Sequence, residues 1–151
     1  MSGRIVYLDS SAIVKRYVQE PGSREVRELY LKAYSGELVL SFSLWNVGEV
    51  LSVFDRARRL GRLGGEAYSA ARRRFLLETR RMSRLGSLIL VPVRARLLME
   101  CWRLVEKYHI YEADALQITS AKWVKAKTFL TGDGRLRDVA LEEGFEAQLL
   151  G

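Results

Sequence analysis

Five short apolar runs, separated by stretches of helical period, constrain this chain more than any other feature of its sequence. The runs are Arg4 to Asp9, Leu38 to Ser41, Leu88 to Val91, Thr128 to Thr131 and Ala147 to Leu150. No two-residue turn of the hairpin type joins any of them, so the strands are expected to pair in parallel through helical crossovers. Ser10 or Ser11 can cap a first helix, to about Val18, which Pro21 and Gly22 terminate. A second helix runs from Ser23 to about Tyr34, with Val26, Leu29, Tyr30 and Ala33 on its apolar side. Ser43 can cap a third to about Arg59, with Leu44, Val47, Leu51 and Phe54 at core-facing intervals. Gly61, Gly64 and Gly65 lead into a long helix ending near Arg84, and further helices are expected over Arg94 to Tyr108, Glu112 to Val124 and Arg135 to Glu143. The pattern is that of an α/β fold on a mostly parallel sheet of about five strands.

The 151 residues suit one domain, taken as residues 1–151. No stretch approaches the roughly 18 apolar residues of a membrane helix, and Met1 to Arg4 lead into the first strand without the apolar core of a signal peptide. Cys101, the single cysteine, allows neither an internal disulfide nor a thiolate metal cluster. A cytoplasmic protein with no membrane partner is expected.

In parallel sheets of this kind, ligands bind beyond the carboxyl ends of strands, where the strand order reverses. Asp9 closes the first strand and Asp133 follows the fourth. Asp9 is the only charged residue between Arg4 and Lys15, Glu49 the only one from Leu38 to Phe54, and Asp114 the only one between Glu112 and Lys122. A lone carboxylate among apolar neighbours is costly to bury without a partner. Each acid also has an ordinary structural reading: Asp9 as a helix cap, Asp133 as a turn residue, Glu49 and Asp114 as helix-surface acids. A single oxygen-lined site for magnesium or manganese accounts for all four together.

These residues stand in motifs. Val6-Tyr-Leu-Asp9-Ser-Ser-Ala-Ile-Val-Lys15, Val47-Gly-Glu49-Val-Leu51, Ala113-Asp114-Ala-Leu-Gln-Ile-Thr-Ser-Ala121 and Phe129-Leu-Thr131-Gly-Asp133-Gly-Arg-Leu136 follow one another in order across the chain. Together they resemble the four acidic motifs of the PIN-domain nucleases, and within them the VapC-like toxins of toxin–antitoxin pairs. The resemblance implies a three-layer α/β/α fold, bound magnesium or manganese, and cleavage of single-stranded or looped RNA. It also implies an antitoxin partner and a homodimer. On that reading Asp9 and Asp114 are the most direct metal ligands, and Glu49 and Asp133 complete the set directly or through water. Ser10 and Thr131 supply hydroxyls that support the ligands or contact phosphate.

The net charge of +7 is concentrated in one segment. From Arg56 to Arg84 ten arginines face only Glu66 and Glu78, whereas the rest of the chain is nearly neutral. A solvated helix face is one reading; an RNA-backbone platform centred on Arg72, Arg73 and Arg74 is the other, and an antitoxin or second subunit could occupy the same arginines. Lys15 and Arg16, close to Asp9 in sequence, could steer phosphate or lie on a solvated face. Trp45, Trp102 and Trp123 fall at apolar helical spacing and are expected in the core, as is Cys101, while His109 reads as a helix-end residue.

Two other activities fit less well. A haloacid-dehalogenase-like phosphatase would need a second acid two residues after Asp9, where this chain has Ser11. A non-catalytic RNA-binding or assembly protein on the PIN fold would be marked by loss of an acid, and all four are present.

Overall fold

The computed structural model describes residues 4–151; the leader-free start expected for Met1 to Gly3 lies outside them. Five strands, β1 (Arg4–Leu8), β2 (Leu38–Ser43), β3 (Leu88–Val91), β4 (Thr128–Thr131) and β5 (Glu146–Leu149), form one sheet in the order β3-β2-β1-β4-β5. All four pairings are parallel, with Tyr7 opposite Ser41 on one side and Phe129 on the other. The seven helices are α1 (Ser10–Tyr17), α2 (Ser23–Tyr34), α3 (Leu44–Arg59), α4 (Gly65–Leu85), α5 (Ala95–Tyr108), α6 (Glu112–Trp123) and α7 (Gly134–Glu142). This is the α/β architecture expected from the alternation of strands and helices. None of the described helices is long and apolar enough to cross a membrane.

The chain leaves β1 toward β2 and β3, then returns to the other side of β1 for β4 and β5. Strand order therefore reverses between β1 and β4, whose ends carry Asp9 and Asp133. Period-two alternation sends Tyr7 and Phe42 to opposite faces of the sheet. Tyr7 stacks on Phe129 at 5.4 Å between ring centres. On the other face, Phe75 of α4 meets Phe42, Phe54 and Tyr17, which draws α1, α3 and α4 together. The buried aliphatic set Val6, Leu8, Leu40, Leu130 and Ile13 fills the space between.

Three details differ from the sequence-based expectations. Asp9 itself caps α1, its carboxylate taking the Ala12 N–H at 2.9 Å, so Ser10 and Ser11 are free for other partners. Trp45, Trp102 and Trp123 remain about half exposed, at 48%, 57% and 47%, because the covering neighbours that their spacing implies are absent from the described residues. Lys15 and Arg16 are committed to Glu20 and Glu78, and neither is a free phosphate contact. His109, as expected, ends α5 in the left-handed conformation (φ 56°), and Cys101 is buried.

Two acidic hubs pin helices together. Glu78 of α4 accepts two bonds from Arg16, both at 2.9 Å, and one each from Tyr17 and Tyr34. Glu143 at the end of α7 accepts from Arg103 (2.8 Å), Tyr108 (2.6 Å) and Lys122, joining α5, α6 and α7. Burial would raise the Glu143 carboxyl, but those donors outweigh it and hold the group at about 2, against an ordinary value of 4.5. Between these values the unfolded chain binds a proton that the folded chain does not. The stabilisation is therefore complete above pH 4.5 and is lost as pH falls toward 2. Urea midpoints across this window should fall more steeply for wild type than for Glu143→Gln; equal slopes would mean that the hub contributes nothing to acid stability.

Candidate metal and nucleic-acid site

Each of the four acids stands near a helix N-terminus. Asp9 is the N-cap of α1, Asp133 that of α7, Asp114 lies in the first turn of α6, and Glu49 in the second turn of α3. The exposed N–H groups and positive dipole ends of these helices favour negative charge there.

Asp9 is nearly fully buried, and three donors fix its carboxylate. Oδ1 accepts from the Ala12 N–H (2.9 Å) and the Ser11 hydroxyl (2.6 Å), and Oδ2 accepts from the Thr131 hydroxyl (2.5 Å). Thr131 in turn accepts the Asp133 N–H at 2.9 Å, which leaves its single hydrogen for Asp9. Ser11 is placed in the same way, accepting the Gly132 N–H at 2.8 Å while donating to Asp9. Gly132 allows this approach, since a Cβ there would come within 3.2 Å of the Ser11 Oγ. Thr131 was anticipated from sequence; Ser11 was not, although a second hydroxyl directly after a strand-end acid is the signal for it.

Glu49 is half-buried and accepts the Ser10 hydroxyl at 2.7 Å. Asp114 is also half-buried and makes no side-chain hydrogen bond among the described residues. Asp133 is exposed and caps α7 through the Arg135 and Leu136 N–H groups, at 2.9 and 3.3 Å. Ser10 and Thr131 thus support Glu49 and Asp9 respectively.

Electrostatics tie the four together. Burial pushes the Asp9 carboxyl above its ordinary value, the bonds from Ser11, Thr131 and Ala12 oppose this, and the charge of Asp133 adds to it. Asp114 is raised by burial, then by Asp133 and Glu49, with Arg135 opposing. Among the described residues none of the four forms an ion pair with lysine or arginine, although Glu20, Asp55, Glu78 and Glu143 all do. Negative charge accumulates here with Arg135 opposing it at Asp114 but with no ion pair to any of the four among the described residues.

As the side chains stand, no three or more histidine, cysteine, aspartate or glutamate residues among the described residues are grouped closely enough to hold a metal ion. The donor types nevertheless fit magnesium or manganese: they are all oxygen, range from the nearly fully buried Asp9 to the exposed Asp133, and form no ion pair among the described residues. Magnesium also keeps several of its waters and needs only one or two carboxylates from the protein. A zinc-type site, with closed nitrogen and sulfur ligands, does not fit these residues.

The arginine-rich segment forms the end of α3, the following turn and α4. Arg72, Arg73 and Arg74 are all exposed and make no ion pair among the described residues. Arg73 and Arg74 share a groove with Leu77, Glu78 and Arg81, and a continuing groove carries Arg80 and Arg84. Arg72 is not among the groove residues. The bidentate Arg16–Glu78 pair fastens α4 to α1, the helix that begins at Asp9.

The family model described as PIN domain matches residues 6–142. No curated protein matches the sequence. Among solved structures, VapC20 of Mycobacterium tuberculosis, described as a sarcin-ricin loop cleaving toxin, aligns with TM-score 0.64 and 17% identity over 89% of this chain and 94% of that one. A Pyrobaculum aerophilum protein aligns with TM-score 0.63 and 18% identity, covering 98% and 91%. FitAcB from Neisseria gonorrhoeae aligns with TM-score 0.63 and 16% identity, covering 94% and 95%. At such identities the structural likeness concerns the fold.

Proposed function

Because this chain belongs to the PIN domain family, we propose that it is a magnesium- or manganese-dependent endoribonuclease, the toxin of a toxin–antitoxin pair. The observation that carries this reading is the set of four carboxylates near the point of strand reversal, repelling one another and, among the described residues, none of them in an ion pair with lysine or arginine. Phosphodiester hydrolysis brings an anionic nucleophile to an anionic centre. A bound divalent ion supplies positive charge there and makes water more acidic.

This chain's residues provide the ligands and their orientation. Asp9 and Asp114 would hold the ion most directly, with Glu49 and Asp133 completing the set. Ser11, Thr131 and the Ala12 N–H fix Asp9 in one orientation, and Ser10 does so for Glu49. The half-exposed Asp114 and the exposed Asp133 leave the reacting side accessible to a large substrate.

The other partners follow from the same reading. RNA is the proposed substrate, in the cytoplasm, and an antitoxin the proposed regulator. Leu98, Met99 and Trp102, exposed at helical spacing on α5, support a homodimer. Incubation of the purified protein with mixed fluorescent RNA tests the activity: cleavage should need magnesium or manganese and stop with chelator. RNA that is bound yet stays intact with either metal would favour a non-catalytic RNA-binding protein.

The arginines of α4 contact RNA backbone in this account. Arg72, Arg73 and Arg74 replaced together by glutamine should weaken binding of unrelated RNAs alike and flatten the dependence of log affinity on log salt. Filter binding between low and moderate salt measures both. An unchanged slope, especially with an altered oligomeric state, would assign these arginines to a protein interface.

A further inference from the structure

Behind the carboxylates lies a buried polar network whose hydrogens are fixed in direction by the backbone at its two ends. Its centre is Asn46 of α3, fully buried. The Ser43 backbone N–H, which can only donate, approaches Asn46 Oδ1 at 2.7 Å, so that atom is the acceptor. Both Nδ2 hydrogens are then available for the two oxygens at 2.8 Å, Ser10 Oγ and Gln117 Oε1. At the far end Gln117 Nε2 donates to the Ala113 carbonyl (3.2 Å), which makes Gln117 Oε1 an acceptor and allows it to take the Tyr7 hydroxyl at 2.8 Å as well. Ser10 already accepts from Asn46, so its own hydrogen goes to Glu49 Oε1 at 2.7 Å. Two longer contacts run beside these, from the Tyr7 hydroxyl to Asn46 Oδ1 at 3.2 Å and from Asn46 Nδ2 directly to Glu49 Oε1 at 3.3 Å.

The elements joined in this way are the ones that carry the site. Ser10 follows Asp9, Glu49 lies one turn beyond Asn46 on α3, and Gln117 is one turn beyond Asp114 on α6. Tyr7 anchors the network in the centre of the sheet, fully buried. A capping role alone would explain only the contact to Ser43; the bonds to α1 and α6 reach 36 and 71 residues along the chain.

We propose that Asn46 is a positioning residue for the cation site: it sets the separation of Asp9, Glu49 and Asp114 and holds the Ser10 hydroxyl as a donor to Glu49. This rests on the nuclease reading given above. Groups that orient metal ligands from behind typically change metal affinity or activity by about 10- to 100-fold when removed.

Manganese binding measured by calorimetry on the full chain, without RNA, is the direct test. Asn46→Ala should bind manganese about 10- to 100-fold more weakly than wild type, while RNA affinity in chelator stays unchanged because the arginines of α4 are untouched. Ser10→Ala, at a half-buried position, should show the same direction. The double variant should be no weaker than the worse single one, since both break one path. Circular dichroism and urea unfolding report whether each variant is folded. If Asn46→Ala does not fold, Gln117→Ala with Ser10→Ala forms the cycle in its place. Wild-type manganese affinity in a folded Asn46→Ala or Gln117→Ala, or strictly additive losses, would overturn the proposal. Absence of both manganese binding and RNA cleavage in wild type would instead overturn the nuclease reading.

Discussion

RNA cleavage at saturating magnesium is expected to fall by at least on the order of a hundredfold in Asp9→Asn and again in Asp114→Asn, because each removes an anionic oxygen ligand while preserving shape. The two variants fail for separable reasons. Asp9 is held by three hydrogen bonds, so its amide also disturbs the link from Thr131 and a modest loss of stability accompanies the loss of turnover. Asp114 has no side-chain hydrogen bond among the described residues, so its loss of turnover should come without destabilisation. Calcium should support little cleavage in wild type, since it favours a larger and looser oxygen shell. Single-turnover rates, with folding checked by circular dichroism, decide this. Near-normal rates in either folded variant would remove that residue from the site.

Asp114→Asn has a second expected effect, opposite in sign to most substitutions: without metal it should raise stability. Burial and the charges of Asp133 and Glu49 push the Asp114 carboxyl upward, so near its titration the folded chain keeps a proton that the unfolded chain has released. A group raised in this way contributes its stability below the unfolded value and loses it as pH rises through the folded one. At pH 7 the ionised Asp114 therefore burdens the metal-free fold. Asparagine removes the burden, so the metal-free variant should melt above metal-free wild type at pH 7, by an amount limited by solvent screening at this half-exposed position. Magnesium should then stabilise the variant less than wild type, because a ligand that binds only the folded state stabilises according to its affinity. Thermal melts in chelator and across a magnesium series test both signs. A variant that melts lower in chelator and responds to metal like wild type would make Asp114 an ordinary structural acid.

Much of the fold was legible in the sequence because strand and helix periods alternate cleanly. The bounds of α2, β3 and β4 follow from apolar spacing, with Gly22 just before α2 and Pro92 just after β3. The reversal of strand order between β1 and β4 was not legible, since parallel crossovers of similar length can lead to either side of β1. The tryptophans show a second limit: helical spacing identifies an apolar face but not whether another element covers it, and Trp45, Trp102 and Trp123 are left half exposed. Three of the acids stood out as lone charges in apolar surroundings, and Ser10 and Thr131 as hydroxyls beside them. Asn46 and Gln117 did not, because they are ordinary polar residues whose partners on other elements lie far along the chain.

The same contrast separates the two arginine environments. Arg16 and Arg74 look alike in sequence, yet Arg16 is partly buried against Glu78 and the ring of Tyr30, whereas Arg74 stays exposed over Tyr17. Only the second kind is available to a polyanion.

If Asp9, Glu49, Asp114 and Asp133 act as one cation site, manganese bound there should broaden the signals of the amides around it. In a nitrogen-15 correlation spectrum of the full chain, substoichiometric manganese should first broaden the amides of residues 9–11, 49, 114 and 131–133 together. Excess magnesium should restore them, and Asp114→Asn should weaken the effect at all of these positions. Broadening centred on other surface acids such as Glu25 and Glu28, or scattered with no common centre, would contradict the account.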